Sequence, residues 1–518
     1  MEIKTNTSYI RNVKCQDVYT ESRADYSLPD YFGDMRKILF TDASLRPSGR
    51  FAGGDSVEFS GVVVYNVVYL DAEGELCSVE FSSDYDYSVK CSGESYKDSA
   101  SETKIANYAV RLMGPRRISA TASVVGSVRI LESADLSVSG NAFEGDCSPE
   151  VNTKSIQTRF TAHSETVERE YAEQIEILDG AIADEVSVVY SNVETQLESV
   201  TAEDNSVGLK GKICINAVIK NGESPAYCVK KAIPFDENIP FEEADSFIKI
   251  IPDVALTSMK SNVNATENGC EIVMNMILEM SALGEKNNQL SVITDGYLKT
   301  FETENRYNDL PFSRILSCEC VRGAHNAEVS IGDLELNSLD GIVFLTAMPK
   351  VEQVDVGDET VNVVGEIKYS GVALENAEGK NSYVGIKFSS PFATNVNISC
   401  QNTDNIRPEV RIKAYGADAS FDSEKIYANC TLETDVVACL EESEKILSSS
   451  IKVEGGLESV ESGIVVYYPD STDTLFSVAK RFRTSSLKLA VDNNISEAVF
   501  AKDNPEGSLA GVSKLIIY

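Results

Sequence analysis

Few residues in this chain have types and spacings that could do chemistry. Only two histidines occur, His163 in FTAHSE and His325 in RGAHNAE, in unrelated contexts. Among twelve cysteines one pair is close, Cys318-Glu-Cys320, which is neither a zinc-ribbon nor a thioredoxin spacing. No serine sits in a Gly-x-Ser-x-Gly turn. Acid pairs such as Asp84 and Asp86 lie on an alternating run, where solvated strand-edge charges are the ordinary reading. Together these features argue against an enzyme, a metal site or a cofactor, because catalysis needs convergent polar groups near a nucleophile or base. The polar groups best placed to recognise something lie near the C-terminus, in YYPDSTDTLFSVAKRFRTS (467–485). Thr472, Asp473, Thr474 and Leu475 precede one apolar stripe there, and Asn493, Asn494 and Ile495 follow the next.

The elements that position them read as β-α-α-β. GIVVYY is a strand, and Asp473 or Thr474 can cap a helix by accepting from its free first-turn amides. Leu475, Val478, Ala479 and Phe482 fall at i, i+3, i+4 and i+7 of that helix. Ser485 or Ser486 opens a second helix carrying Leu489 and Ala490, Asn493-Asn494 ends it, and SKLIIY closes as a strand. Six basic and six acidic residues balance between Gly463 and the end, so the whole net charge of −35 belongs to the preceding chain.

That preceding chain repeats itself. VEFSGVVVYNVVYL, VGLKGKICINAVIK and VNVVGEIKYSGVAL begin at Val57, Val207 and Val361 with glycines in register, Gly61, Gly211 and Gly365. Each run alternates, turns at Glu73-Gly74, Asn221-Gly222 or Glu378-Gly379, and returns through an aromatic step at Tyr85, Phe235 or Phe392. This is a hairpin pattern. A strand-like run precedes each hairpin (RKILFTDASL, VSVVYSNVET, GIVFLTAMPKV) and a strand pair follows it. A repeat of 150 to 154 residues, the glycine separations, is long enough for each copy to hold its own core. The expectation is a mainly β chain. Three tandem β-rich domains, each a sandwich or distorted barrel, span 1–150, 151–312 and 313–448. A linker spans 449–462 and a small βααβ domain 463–518.

Composition narrows the partners. Forty-six basic against eighty-one acidic residues repel nucleic-acid phosphates and anionic lipid. No apolar run reaches the ~18–20 residues of a transmembrane helix. MEIKTNTSYIRNVKCQ lacks the features of an export signal. Cysteines in apolar settings, such as GKICINAVI and DVVACLE, suit buried thiols and a cytoplasmic location.

Two resemblances follow from these residues. The hairpin repeat, with ADYSLPDYFGDMRKIL (24–39), resembles the SPOCS domain of endospore-forming Firmicutes over roughly residues 15 to 450. In plain physical terms the 24–39 stretch is a turn at Pro29-Asp30 and then a helical segment carrying Met35, Ile38 and Leu39. The second and third copies lack the Leu-Pro-Asp-Tyr words. The C-terminal βααβ pattern, with Asp473-Thr474-Leu475, VAKRF, Thr484-Ser485, Leu489 and Asn493, resembles a LysM domain. That resemblance implies a groove for N-acetylglucosamine-containing glycans between Thr472, Asp473, Thr474 and Leu475 on one side and Asn493, Asn494 and Ile495 on the other. It departs from the family at Thr472, where glycine is usual, since a β-branched residue resists positive φ and adds bulk. The second loop, 496–511, is also longer than usual.

The combination resembles the spore-coat morphogenetic proteins. It implies a non-enzymatic scaffold in the mother-cell cytoplasm at the forespore surface. Its partners would be a coat morphogenetic ATPase or other coat proteins, with peptidoglycan or its precursors as a further contact. The alternative is a cell-wall protein that binds peptidoglycan through the terminal module.

Overall fold

Period-two alternation becomes a mainly β molecule in the computed structural model. It describes residues 6–14, 17–92, 94–143, 149–177, 181–377, 380–398, 405–453, 463–495, 509 and 511–518. Unit 1 contains β1 (Asn6–Lys14), β2 (Val18–Ser27), β3 (Met35–Gly53), β4 (Ser56–Asp71), β5 (Leu76–Lys90), β6 (Tyr96–Gly114) and β7 (Arg117–Ser137). Unit 2 contains β8 (Glu150–His163), β9 (Val167–Ile177), β10 (Val186–Glu203), β11 (Ser206–Asn221), β12 (Tyr227–Pro240), β13 (Lys249–Thr266) and β14 (Gly269–Tyr297). Unit 3 contains β15 (Thr303–Ser330), β16 (Leu339–Gly357), β17 (Thr360–Ala377), β18 (Lys380–Asn397), β19 (Ile406–Phe421) and β20 (Lys425–Lys452). The C-terminal module contains β21 (Val465–Tyr467), α1 (Leu475–Arg481), α2 (Ser486–Asp492) and β22 (Leu515–Ile517).

The three units share one topology. A meander (β3-β4-β5, β10-β11-β12, β16-β17-β18) faces a second sheet whose central strand is the last of the unit, β7, β14 or β20. That strand pairs with β6, β13 or β19 on one edge. On the other edge it pairs with β1 and β2, with β8 and β9, or with the single long β15. Each unit buries its own core between its two sheets. Among the described residues no ladder joins the two sheets of a unit, so each is a sandwich. The seams of unit 1 are closed by side chains: Tyr108 donates to the Thr41 carbonyl at 2.8 Å, and Ser22 donates to the Asp84 carbonyl at 2.9 Å.

The glycine register has a direct cause. Gly61 lies opposite Tyr85, Gly211 opposite Phe235 and Gly365 opposite Phe392 in their ladders. The aromatic ring covers the glycine in each case. A Cβ at Gly211 would lie 2.9 Å from Phe235 Cζ and one at Gly365 2.8 Å from Phe392 Cε1, closer than side-chain atoms tolerate.

The helical segment expected after Pro29-Asp30 is instead the start of β3. Helix-like spacing at Met35, Ile38 and Leu39 comes from register shifts at Met35/Lys37 and Ile38/Phe40, which place successive residues on one face. The second shift recurs at Val188/Tyr190 and Ile342/Phe344. It lets Leu39 and Phe40, Val189 and Tyr190, and Val343 and Phe344 all enter one apolar cluster contributed by three units. Its centre is a ring trio, Phe40–Tyr190 at 5.0 Å, Phe40–Phe344 at 4.9 Å and Tyr190–Phe344 at 4.9 Å. Three equivalent residues in mutual contact define a pseudo-threefold axis. The cluster also explains why VVVYNVVYL reads as continuously apolar. Val67 and Tyr69 face the core of unit 1, while Val68 and Leu70 face the axis.

Beside this cluster lies an ion network drawn from all three units. Arg129 binds Glu285 (2.9 Å) and Glu409 (2.5 Å), and Arg159 binds the same two carboxylates (2.6 and 2.9 Å). Further along β14, Leu290 and Val292 join Ile156, Leu310, Leu136 and Ile446 in a second apolar cluster between units. β15 opens unit 3 upstream of the expected boundary at 313. β20 continues through Lys452, so 449–452 are ladder residues, while 454–462 lie outside the described residues.

Candidate functional site

The module folds in the expected β-α-α-β order, with β21 and β22 antiparallel. Thr474 is the cap of α1. Its hydroxyl accepts from the Ser477 amide at 3.0 Å, while Ser477 Oγ accepts from the Thr474 amide at 2.9 Å. Leu475, Val478, Ala479, Leu489 and Ala490 form its core, so Leu475 is unavailable as a groove contact.

Asp473 does another job. Its carboxylate accepts from Tyr467 Oη (2.7 Å) and the Asp470 amide (2.8 Å), closing the loop between β21 and α1. The Asp470 amide, then the Tyr467 hydroxyl, hold its carboxyl below the usual range. Asn493 is likewise spent internally. Its side chain donates to the Leu489 (2.9 Å) and Ile516 (2.7 Å) carbonyls and accepts from the Ile516 amide (2.6 Å). These bonds tie the end of α2 to β22. Asn494 takes the left-handed turn after the helix, at φ 54°, and Ile495 packs on the core.

Thr472 and Asn494 are therefore the exposed members of the expected groove. Thr472 is not among the residues with positive φ, so the glycine usual at that place is not required by the backbone. The amide of Leu509 donates to the Asp473 carbonyl at 3.1 Å, and its side chain is buried in the module core. A backbone acceptor at the groove rim is thus already used. The rest of the 496–511 loop, apart from Leu509, Gly511 and the residue 510 position, falls on 496–508, outside the described residues, as does 510 itself.

The module is fixed to the end of β14. Tyr297 is fully buried in the module's core, donates to the Thr484 carbonyl at 2.6 Å and meets Phe476 edge-on at 5.3 Å. Lys480 binds Asp295, and Arg483 donates to the Leu298 carbonyl at 3.2 Å. The attachment uses α1 and the α1–α2 turn, so the loop at 472–474 and the turn at 493–494 lie at the module's other end. Sequence reasoning missed this attachment, because Tyr297 in TDGYLKT carries no signal of a contact across nearly two hundred positions.

It also missed an apolar face. Ile464, Val466, Tyr468 and Tyr518 stand 69, 50, 70 and 63% exposed on β21, β22 and their flanks. With both helices on one side of this small sheet, the other side is bare. The signal was present in the alternation of IVVYY, where two facing sets of residues are apolar and only one can face the helices.

The other reactive side chains fall in separate places. His163 Nδ1 meets Asp98 across the unit 1–unit 2 boundary, and Arg50 binds Asp98 at 2.9 Å. His325 Nε2 lies 3.1 Å from Ser390 Oγ, a serine–histidine pair the sequence did not suggest. Burial lowers the pKa of His325, and among the described residues no carboxylate is bonded to its ring to orient it as a base. Cys320, Glu433 and Asp435 converge, but Arg322 already binds Glu433 (2.5 Å) and Lys249 binds Asp435 (3.4 Å). Burial first, then Asp435, pushes the Cys320 thiol up to about 11. The cysteines within the described residues are free thiols, with Cys270, Cys430 and Cys439 buried; Cys15, Cys147 and Cys400 lie outside them. No helix is long and apolar enough to cross a membrane. Compared with known proteins, the chain matches no family model, no curated protein and no solved structure.

Proposed function

We propose that the chain is a non-enzymatic scaffold of spore-coat assembly, joining a coat morphogenetic protein to the forespore surface. The observation that carries this reading is the division of labour in the C-terminal module. The polar groups expected to read sugar, Asp473 and Asn493, are consumed by internal hydrogen bonds, while a contiguous apolar face stands open. An exposed apolar face of this kind is characteristic of a protein contact. The three units, packed on a shared apolar and ionic axis, supply a rigid body to hold that face.

The reading is tested with the full chain. Titration with N-acetylglucosamine oligomers is expected to give no heat. In sporulating cells, Val466→Asp is expected to mislocalise the chain and leave the coat detached, with folding intact. The second reading, a peptidoglycan-binding wall protein, draws on the free position of Thr472 and Asn494 at the module's undocked end. Saturable glycan binding that Asn494→Ala removes would replace the first reading with the second.

A further inference from the structure

The pseudo-threefold packing creates three corresponding seams, and one of them is open. At each seam the bulged start of a meander in one unit lies over the inner face of the preceding unit's meander. The residue beneath it is Ser78, Cys228 or Gly385, placed identically by pairing with Val68, Val218 and Val372. Between units 3 and 1, Gly385 lets the Leu39 backbone carbonyl rest directly on the sheet, so closely that no Cβ would fit. Between units 2 and 3 the same position carries Cys228, and the opposing strand stands off. A cleft of about 350 Å³ remains, floored by Val218, Ala226 and Cys228 and walled by Val343, Phe344 and Leu374.

This cleft interrupts an interface that is otherwise closed. On one side Tyr190 stacks on Phe344 at 4.9 Å, and on the other the Gly416 amide donates to Glu194 at 2.8 Å. At its mouth Lys230 and Asp418 pair with each other at 2.9 Å, leaving no net charge for a charged ligand. The volume is at the lower end of small-ligand sites, which begin near ~300 Å³.

We infer that this cleft is a binding site for an extended peptide segment of a partner, which inserts one branched apolar side chain beside Cys228. The choice of ligand rests on the closed seam, where the chain's own extended strand, through the Leu39 backbone, occupies the matching position. Backbone groups of Gly341–Thr346 line the cleft and supply donors and acceptors for a second extended chain.

The test uses the full chain and blocked heptapeptides built on residues 36–42 (Arg-Lys-Ile-Leu-Phe-Thr-Asp), with leucine, isoleucine or alanine at the central position. Alkylation of Cys228, followed by mass spectrometry, is expected to slow several-fold and saturably with leucine or isoleucine, while the other thiols react unchanged. Fluorescence anisotropy of the labelled leucine peptide is expected to lose its saturable phase in Cys228→Trp, which fills the cleft. Unchanged Cys228 alkylation with every peptide, or undiminished binding to a folded Cys228→Trp chain, overturns the inference. Should Cys228→Trp fail to fold, the alkylation result on the unaltered chain decides alone.

Discussion

At Gly211 a single methyl group meets both a ring and a backbone carbonyl, so the glycine is required by what lies across the strand. Gly211→Ala is predicted to lower stability by about 1–3 kcal/mol, the usual cost of overpacking. Trimming the ring in Gly211→Ala/Phe235→Ala is predicted to cost less than the sum of the two single changes. Urea midpoints of the four proteins check it, and simple additivity would remove the ring as the reason for the glycine. A second residue-scale prediction concerns Asp42. Burial at the boundary of units 1 and 2 raises its pKa, against hydrogen bonds from Tyr190 (3.2 Å) and the Ala43 amide (2.8 Å). The folded state holds this proton more tightly than the unfolded one. Its contribution is therefore most favourable in acid and is lost as pH rises from about 3.9 through the raised value. Asp42→Asn, which keeps the acceptor and removes the charge, is predicted to raise the melting temperature at pH 7 and to leave it unchanged at pH 3.

Elements were legible wherever the local pattern alone decided them. The hairpins around Gly61 and Gly211, the capped helix at Thr474 and the closing strand at Leu515 all follow from alternation, helical spacing and turn residues. The turn expected at Glu378-Gly379 lies outside the described residues. Met35–Leu39 was not legible, because a β-bulge imitates helical spacing when the neighbouring strand is unknown. Of the candidate site, the positions of Asp473, Thr474 and Asn493 were legible but their partners were not. Tyr467 and Ile516, which engage Asp473 and Asn493, come from other elements. The attachment at β14 belongs to this scale as well. Tyr297→Ala removes a buried aromatic shared by two elements, at a cost of about 3–5 kcal/mol for such a deletion. The predicted result is release of the module, with faster proteolysis between Lys452 and β21 and an unaltered unfolding midpoint of the three units.

For the whole molecule the decisive feature is the junction of Arg129, Arg159, Glu285 and Glu409. Desolvation alone would raise the pKa of Glu409, but hydrogen bonds from Arg159 and the charges of both arginines outweigh it and hold the carboxyl well below its ordinary range. A depressed carboxylate contributes stability above its unfolded value, about 4.3, and loses that contribution as pH falls toward the folded value. The three units are therefore predicted to separate in acid below about pH 4.3 while each sandwich keeps its far-UV signal, a change that small-angle scattering detects. Glu409→Gln leaves two buried guanidiniums short of a partner charge. It is predicted to cost about 3–5 kcal/mol at pH 7 and to abolish the acid transition.

The sequence by itself determined the strands, the threefold repetition and the terminal βααβ order, because alternation, capping and turn chemistry act over a few residues. Its charge balance also separated the neutral module from the acidic repeats. Only the tertiary structure decided that Phe40, Tyr190 and Phe344 meet, that four charges from three units neutralise one another, and that Asp473 and Asn493 face inward. Those outcomes depend on contacts between residues far apart in the chain, and burial by a distant partner leaves no local period to read.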